Sequence, residues 1–454
     1  MTFDLFEGPA GTGKTHNLVG LAAQLIRDGV LGEERRLLAL TFMNGSRRRL
    51  EARLSGEAVF RRRFECQTFD VFARTLAARR RSLLFGSAAI TEHAASLNEF
   101  DGPCFLAASL LENPLVRHWV ASTFPLVLVD EAQDLDKHRL GILQGLSQAS
   151  RVAVAADAFQ CLTDGRDTTS LIDWLENAGQ THRLTQPRRT RQQGLLAAAL
   201  AVREGRDIKA ALTAKTFNDR TSLNGQGFRL LEVPATNKNP ALLSWSIANE
   251  IALHRNQGPF AILTPDAGNT IIRAALATVQ TKQWTRKKGA TFGPYPHVWE
   301  YRDSEETGVL LAGVALPQDA FYADFHAMLT PLAEHAAIAQ ALSRMDRLRR
   351  VQGQNKFSAT QVTEFVREAV RNQLRLGFRQ QRGHLAMNIQ HAKNREFPNV
   401  IVLWPHTVTG SSDHLRRLLY NAITRAQSHC SVIVLGQGRL NSPPFSPRVT
   451  GVSS

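Results

Sequence analysis

Along the chain, short unbroken apolar runs alternate with stretches in which apolar positions recur every three to four residues. Apolar runs of strand length, bounded by turn residues, predict strands buried on both faces. The periodic stretches between them predict the helices that cover those strands. The alternation points to an α/β fold with parallel sheets. In the first half, strands are predicted at 3–6, 37–42, 126–129 and 152–155; in the second, at 228–233, 260–263, 400–404 and 432–435. Between the two sets lies 205–227, polar and containing Gly and Asn, which reads as a linker or a loose helix end. Two α/β domains are therefore expected, 1–215 and 216–454. Two stretches, 75–120 and 285–385, read as mostly helical, the second most strongly over 320–380, and are expected to be small insertions, one in each domain.

Length and composition change little: 454 residues suffice for two or three cored domains, and 43% hydrophobic with 21% charged residues is ordinary for a globular chain. The charge changes more. A formal net charge of +15 and a pI near 10.3 favour polyanionic partners, nucleic acid foremost. Cys66, Cys104, Cys161 and Cys430 form no C-x-x-C pair, so neither a zinc ribbon nor a disulfide framework is expected. The chain opens on an apolar strand without the basic flank of a signal peptide, and no apolar run is long enough to span a bilayer. A cytoplasmic protein with no membrane partner is expected.

The most specific chemistry lies at the start. Gly8, Pro9, Ala10, Gly11, Thr12, Gly13, Lys14 and Thr15 form a complete G-x-x-x-x-G-K-[ST] loop. A predicted strand precedes it, and a helix follows with Leu18, Leu21, Ala22, Leu25 and Ile26 on one stripe. Glycines in such a loop let backbone N–H groups wrap a phosphate, and the helix N-terminus adds positive partial charge. Lys14 is positioned for the β- and γ-phosphates, and the Thr15 hydroxyl for Mg²⁺. Further on, the strand 126–129 runs into Asp130 and Glu131. Carboxylates at the C-terminal end of a parallel strand face the crevice where such sheets bind ligands. Asp130 is expected to hold Mg²⁺, and Glu131 to orient and deprotonate an attacking water. ATP and Mg²⁺ are the expected cofactors.

Further segments resemble, in order, the motifs of the UvrD/Rep/PcrA helicases of superfamily 1. Asp130-Glu131-Ala132-Gln133-Asp134 looks like their second motif. Thr41-Phe42-Met43-Asn44 resembles their T-F-T-N segment, and Gln67-Thr68-Phe69-Asp70-Val71-Phe72 their T-F-H-S-F segment. Ala156-Asp157-Ala158-Phe159-Gln160 resembles G-D-x-x-Q, and Leu184-Thr185-Gln186-Pro187-Arg188-Arg189-Thr190 resembles L-x-x-N-Y-R-S. The stretch 389–397 resembles I-H-x-x-K-G-x-E-F, and 420–426 resembles Y-V-A-x-T-R-A.

The resemblance implies two RecA-like P-loop NTPase domains facing one nucleotide. It makes Gln160 a γ-phosphate sensor, Arg189 and Arg425 arginine fingers, and Glu396 a group near the ribose or one that couples the nucleotide to DNA. Single-stranded DNA is implied at Thr41, Phe42, Asn44, Thr68 and Phe69. It implies an ATP-dependent DNA helicase or translocase, moving 3′ to 5′ on single strands or junctions, in DNA repair, recombination or antiphage defence. The rival reading is a regulatory DNA-sensing NTPase subunit that controls a partner nuclease.

The chain departs from that pattern in places. Only seven residues precede Gly8, so the family's upstream adenine-recognition motif is not expected. Arg188 stands where the family has an aromatic, and Cys161-Leu162-Thr163 where it has base-stacking rings. The DNA grip is then expected to rest on charge, or on Phe42, Phe69 and Phe72. Basic triplets at 47–49, 61–63 and 79–81 read equally well as a phosphate-tracking surface or as solvated faces. His384, His391, His406, His414 and His429 lack ligand spacing and read as ordinary surface or core histidines.

Overall fold

Leu126–Asp130 and Phe260–Thr264 are buried along their whole length because helices cover both faces of the sheets they belong to. A computed structural model describes residues 3–447 except 33, 85–87, 99, 164–167, 218–219, 235–239, 287–288, 301–302 and 378–382. The first half runs β1 (Phe3–Glu7), α1 (Lys14–Arg27), β2 (Leu37–Thr41), α2 (Asn44–Ser55), β3 (Phe64–Thr68), α3 (Phe69–Arg79), α4 (Ala88–Ser96) and α5 (Asp101–Leu111). It continues through α6 (Pro114–Thr123), β4 (Leu126–Asp130), α7 (Lys137–Ser147), β5 (Arg151–Ala156), α8 (Thr168–Asn177) and β6 (Gln180–Arg183). Among the described residues these strands form one parallel sheet in the order β3-β2-β4-β5-β1-β6. The edge strands β3 and β6 carry mixed, half-exposed sequence, which is why apolar runs did not predict them.

The second half begins with α9 (Gln193–Glu204), β7 (Thr213–Phe217), β8 (Arg220–Gly225), β9 (Phe228–Val233), α10 (Ala241–Leu253), β10 (Phe260–Thr264) and α11 (Thr270–Thr281). A short pair, β11 (Trp284–Thr285) and β12 (Thr291–Phe292), precedes β13 (His297–Glu300) and α12 (Asp303–Leu310). Then come β14 (Asp319–Phe321), α13 (Tyr322–Leu329), α14 (Ala336–Gln352), β15 (Lys356–Ser358) and α15 (Ala359–Gly377). The last elements are β16 (His384–Asn388), β17 (Phe397–Trp404), α16 (Ser412–Ile423) and β18 (Ala426–Leu435). The second sheet has the order β13-β16-β10-β17-β18-β9-β8-β7. It is parallel from β13 to β9 and ends in the antiparallel pairs β9-β8 and β8-β7.

The stretch 205–227 is therefore not a linker; it supplies β7 and β8. Leu195, Ala198, Ala201 and Val202 of α9 pack with Phe228, Leu419 and Ile423 beneath the second sheet, so the chain passes between sheets after β6 and before α9. The two helical insertions also differ. Cys104, Ala107, Leu110, Val116 and Val120 of the first join the core under the first sheet. The second holds its own core around Phe325, Ile338, Met345, Phe357 and Val366.

Candidate nucleotide-binding cleft

In the first sheet, β1, β4 and β5 are neighbours and end level with one another. Their C-terminal ends therefore bring together the loop after β1, the carboxylates after β4 and Asp157 after β5. Within the loop, Gly11 and Gly13 take left-handed φ values of 80° and 87°. A Cβ at Gly11 would stand 2.8 Å from the Arg189 Cβ, and one at Gly8 would stand 2.3 Å from the Leu184 carbonyl. Glycine is required at both positions by the close approach of the segment 184–189. The Arg188 N–H donates to the Gly11 carbonyl at 2.7 Å, which fastens that segment to the loop.

Lys14 opens α1, is buried, and donates to the carbonyls of Gly8 and Pro9 at 2.7 and 3.1 Å. Burial lowers its pKa, opposed by Asp157, Glu131 and Asp130. The Thr15 hydroxyl donates to Asp130 at 3.0 Å. Burial, then the Glu131 charge, pushes the Asp130 carboxyl up to about 6. Burial acts upward on Glu131 as well, but Lys14, Lys393, Arg425 and a hydrogen bond from Gln133 outweigh it and hold this carboxyl below its usual range. Glu131 adopts a left-handed backbone, φ 60°. Fully buried Gln133 donates to Glu131 Oε2 at 2.5 Å and accepts from the Asp157 N–H at 3.0 Å, joining the ends of β4 and β5. Gln160 donates to Asp157 at 2.8 Å.

The opposite wall comes from the second half. Arg425, at 2% exposure, donates from Nε to the Asn421 carbonyl at 2.9 Å and reaches Gln160 Oε1 at 3.3 Å. Burial, followed by the Arg189 charge, pushes its pKa down to about 9. Arg189 donates to the Thr424 carbonyl at 2.6 Å and pairs with Glu396 at 2.9 Å. Further contacts join the walls: Lys393 to Asp134 at 2.5 Å, Asn394 to Ser46 at 2.6 Å, and the Ala10 N–H to the Tyr420 hydroxyl at 2.8 Å. Arg203 reaches Asp157 at 2.8 Å. Between the walls is a cleft of about 600 Å³, where six cations (Lys14, Arg49, Arg53, Arg188, Arg189 and Arg425) face Asp130, Glu131, Glu57 and Glu396. The excess of cations suits a polyanion.

Of the loop, Gly11, Gly13, Lys14 and Thr15 line this cleft together with both acids, Gln160, Arg189, Glu396 and Arg425, whereas Pro9, Ala10 and Thr12 line a neighbouring pocket. Gln133, Asp157 and Lys393 were not singled out, although each lies inside a recognised motif. Arg203 lies in no motif and carries no such signal.

The DNA candidates are more scattered. Thr41 and Thr68 end β2 and β3 side by side, level with Asp130. Both hydroxyls are buried, and Thr68 caps α3. Asn44 begins α2. Phe42 is half-buried, with the Arg139 guanidinium 5.3 Å from its ring centre. Phe69 and Phe72, expected as gripping rings, are instead core side chains under the first sheet. The spacing of Phe69, Phe72, Ala73 and Leu76 marks the inward face of α3.

The four cysteines are unpaired thiols. Among the described residues, one group could ligate a metal: Glu250, His254 and His429, beneath the second sheet. It is a closed network, in which Glu250 pairs with Arg229 and accepts from Ser431, and the two imidazoles stack 3.7 Å apart. No helix among the described residues is long and apolar enough to cross a membrane.

A family model for an AAA domain matches residues 1–224, and one for a UvrD-like helicase C-terminal domain matches residues 384–433. No curated protein matches the chain. The first match covers the loop, the acidic strand end and Gln160, and the second covers the segment that brings Glu396 and Arg425 to the same cleft. Together the two matches support a UvrD-like helicase.

Proposed function

We propose that this chain is an ATP-hydrolysing motor that moves 3′ to 5′ along single-stranded DNA. The observation that carries the reading is Arg425: a buried arginine from the second half touches Gln160 of the first across the cleft that holds Lys14, Asp130 and Glu131. Two RecA-like motor domains, one on each sheet, would then share one active site.

The residues fit a nucleoside triphosphate with magnesium. The loop is too tight for side chains at Gly8 and Gly11, so backbone N–H groups line the phosphate position. Thr15 and Asp130 converge as oxygen donors for the metal. Magnesium at that position offsets the charge that develops on the transferring phosphoryl group. Glu131, kept ionised by the surrounding cations, orients water and accepts its proton. Gln133 fixes the Glu131 carboxylate, and Gln160 senses the terminal phosphate through its contacts to Asp157 and Arg425. Arg189, beside the loop, and Arg425, from the opposite wall, stabilise the developing charge. Nucleotide thus draws the walls together and hydrolysis releases them, which is the alternation a stepping motor needs.

Glu131→Gln tests this. Nucleotide affinity should stay within about threefold, and single-strand-stimulated phosphate release should fall about 10²–10⁴-fold. A variant with wild-type turnover, or a wild-type ATPase indifferent to single-stranded DNA, would sink the motor reading. The burial of Phe69 and Phe72 favours a second reading, a DNA-sensing NTPase that governs a partner nuclease, because it leaves fewer rings to grip bases.

A further inference from the structure

Arg47, Arg48 and Arg49 look alike in sequence, but successive helical residues point about 100° apart. On α2, Arg47 turns to Glu51 at 2.7 Å, and Arg48 is exposed. Arg49 enters the cleft. Its guanidinium lies 4.0 Å from Glu396 Oε1, the oxygen that Arg189 holds at 2.9 Å. The other carboxylates acting on it most strongly are Glu131 and Asp130. A single carboxylate oxygen thus lies within ion-pair reach of two guanidiniums in the cleft that also holds Asp130 and Glu131.

Resting on the nucleotide reading of this cleft, we infer that Arg49 is a further phosphate-binding residue, directed to the terminal phosphate of a nucleoside triphosphate, with Glu396 orienting it. Glu396 supplies one negative charge to two guanidiniums, whereas a terminal phosphate offers several oxygens to both. The same placement takes Arg49 out of the DNA-tracking surface to which its triplet would assign it.

The test uses the full chain with Mg²⁺ and fluorescent analogues of a non-hydrolysable ATP and of ADP, read by anisotropy, beside a labelled single-stranded oligonucleotide. Arg49→Ala should weaken triphosphate binding about 10–100-fold, the size of one lost charge-assisted hydrogen bond. ADP and oligonucleotide affinity should change by less than about twofold on the same reasoning. Arg49→Gln should behave as Arg49→Ala does and guards against a folding defect. Arg47→Ala, on the same helix, should leave nucleotide binding unchanged. Unaltered triphosphate binding, an equal loss for ADP, or a loss confined to the oligonucleotide would overturn the assignment. A wild-type chain that bound neither nucleotide would overturn the cleft reading itself, and this inference with it.

Discussion

Replacing Arg425 by alanine removes the one cationic group that the second half buries against Gln160. The guanidinium is wholly shielded from solvent, and although burial and Arg189 lower its pKa to about 9, it stays charged at neutral pH. A charge held there acts on a nearby phosphoryl group with little screening by water. Arginines in this role contribute ~10³–10⁵-fold to NTP hydrolysis. At about 1.4 kcal/mol per decade, that is about 4–7 kcal/mol of transition-state stabilisation. The cost to the fold is far smaller. Three hydrogen bonds are lost, to Asn421, Gln160 and Thr424, each worth about 1 kcal/mol net, but a buried charge no longer needs desolvating. Arg425→Ala should therefore leave the thermal midpoint and ATP affinity nearly unchanged while phosphate release falls by three decades or more. Arg425→Lys, which keeps the charge without the planar fork, should lie between. The assay is single-turnover phosphate release at saturating ATP and oligonucleotide, with affinity measured separately. A rate within about tenfold of wild type at unchanged affinity would refute the claim that the second half completes the site.

Lys393→Met leaves Asp134 buried without its ammonium, 2.5 Å away in the native pair; stability should fall by about 3–5 kcal/mol, read from denaturant unfolding, and Asp134→Leu in the same chain should recover most of it. His429 is held neutral by burial, beside His254 and Arg229, with its pKa down to about 3 against an ordinary 6.5. The unfolded chain therefore binds a proton that the native one refuses as pH falls from 6.5 toward 3. Stability should decline across that window by up to about 1.4 kcal/mol per pH unit, and His429→Phe should flatten the slope.

Eight of the interior strands were legible because they are mostly buried and therefore mostly apolar. Strands β3 and β6 were not, since an edge strand keeps one side in solvent and reads as polar. Which sheet α9 covers could not be read locally; that depended on Leu419 and Ile423, more than two hundred residues later. At the site, the phosphate loop and Asp130-Glu131 were readable as contiguous chemistry. Arg189, Glu396 and Arg425 lie far from that chemistry in sequence, and only the ordered resemblance drew them together. Gln133 and Asp157 escaped notice because a buried bridging polar group is defined by partners that composition does not reveal. Phe69 was misjudged because an aromatic beside a DNA motif and an aromatic in a core look the same until the helix is turned.

The order of strands in the second sheet sets a schedule for synthesis. β18 (Ala426–Leu435) lies in the interior, between β17 and β9. Until it emerges, β9 and β17 each present an unpaired, apolar edge, and neither can close on the other. The first sheet is complete once β6 is made, so the phosphate loop and its acidic partners can assemble while the rest of the chain is still being translated. Arg425 immediately precedes β18 and arrives with it. On the proposed function, a nascent or prematurely terminated chain would thus bind nucleotide while exposing a sheet edge, with the proposed hydrolytic step withheld until the last central strand slots home.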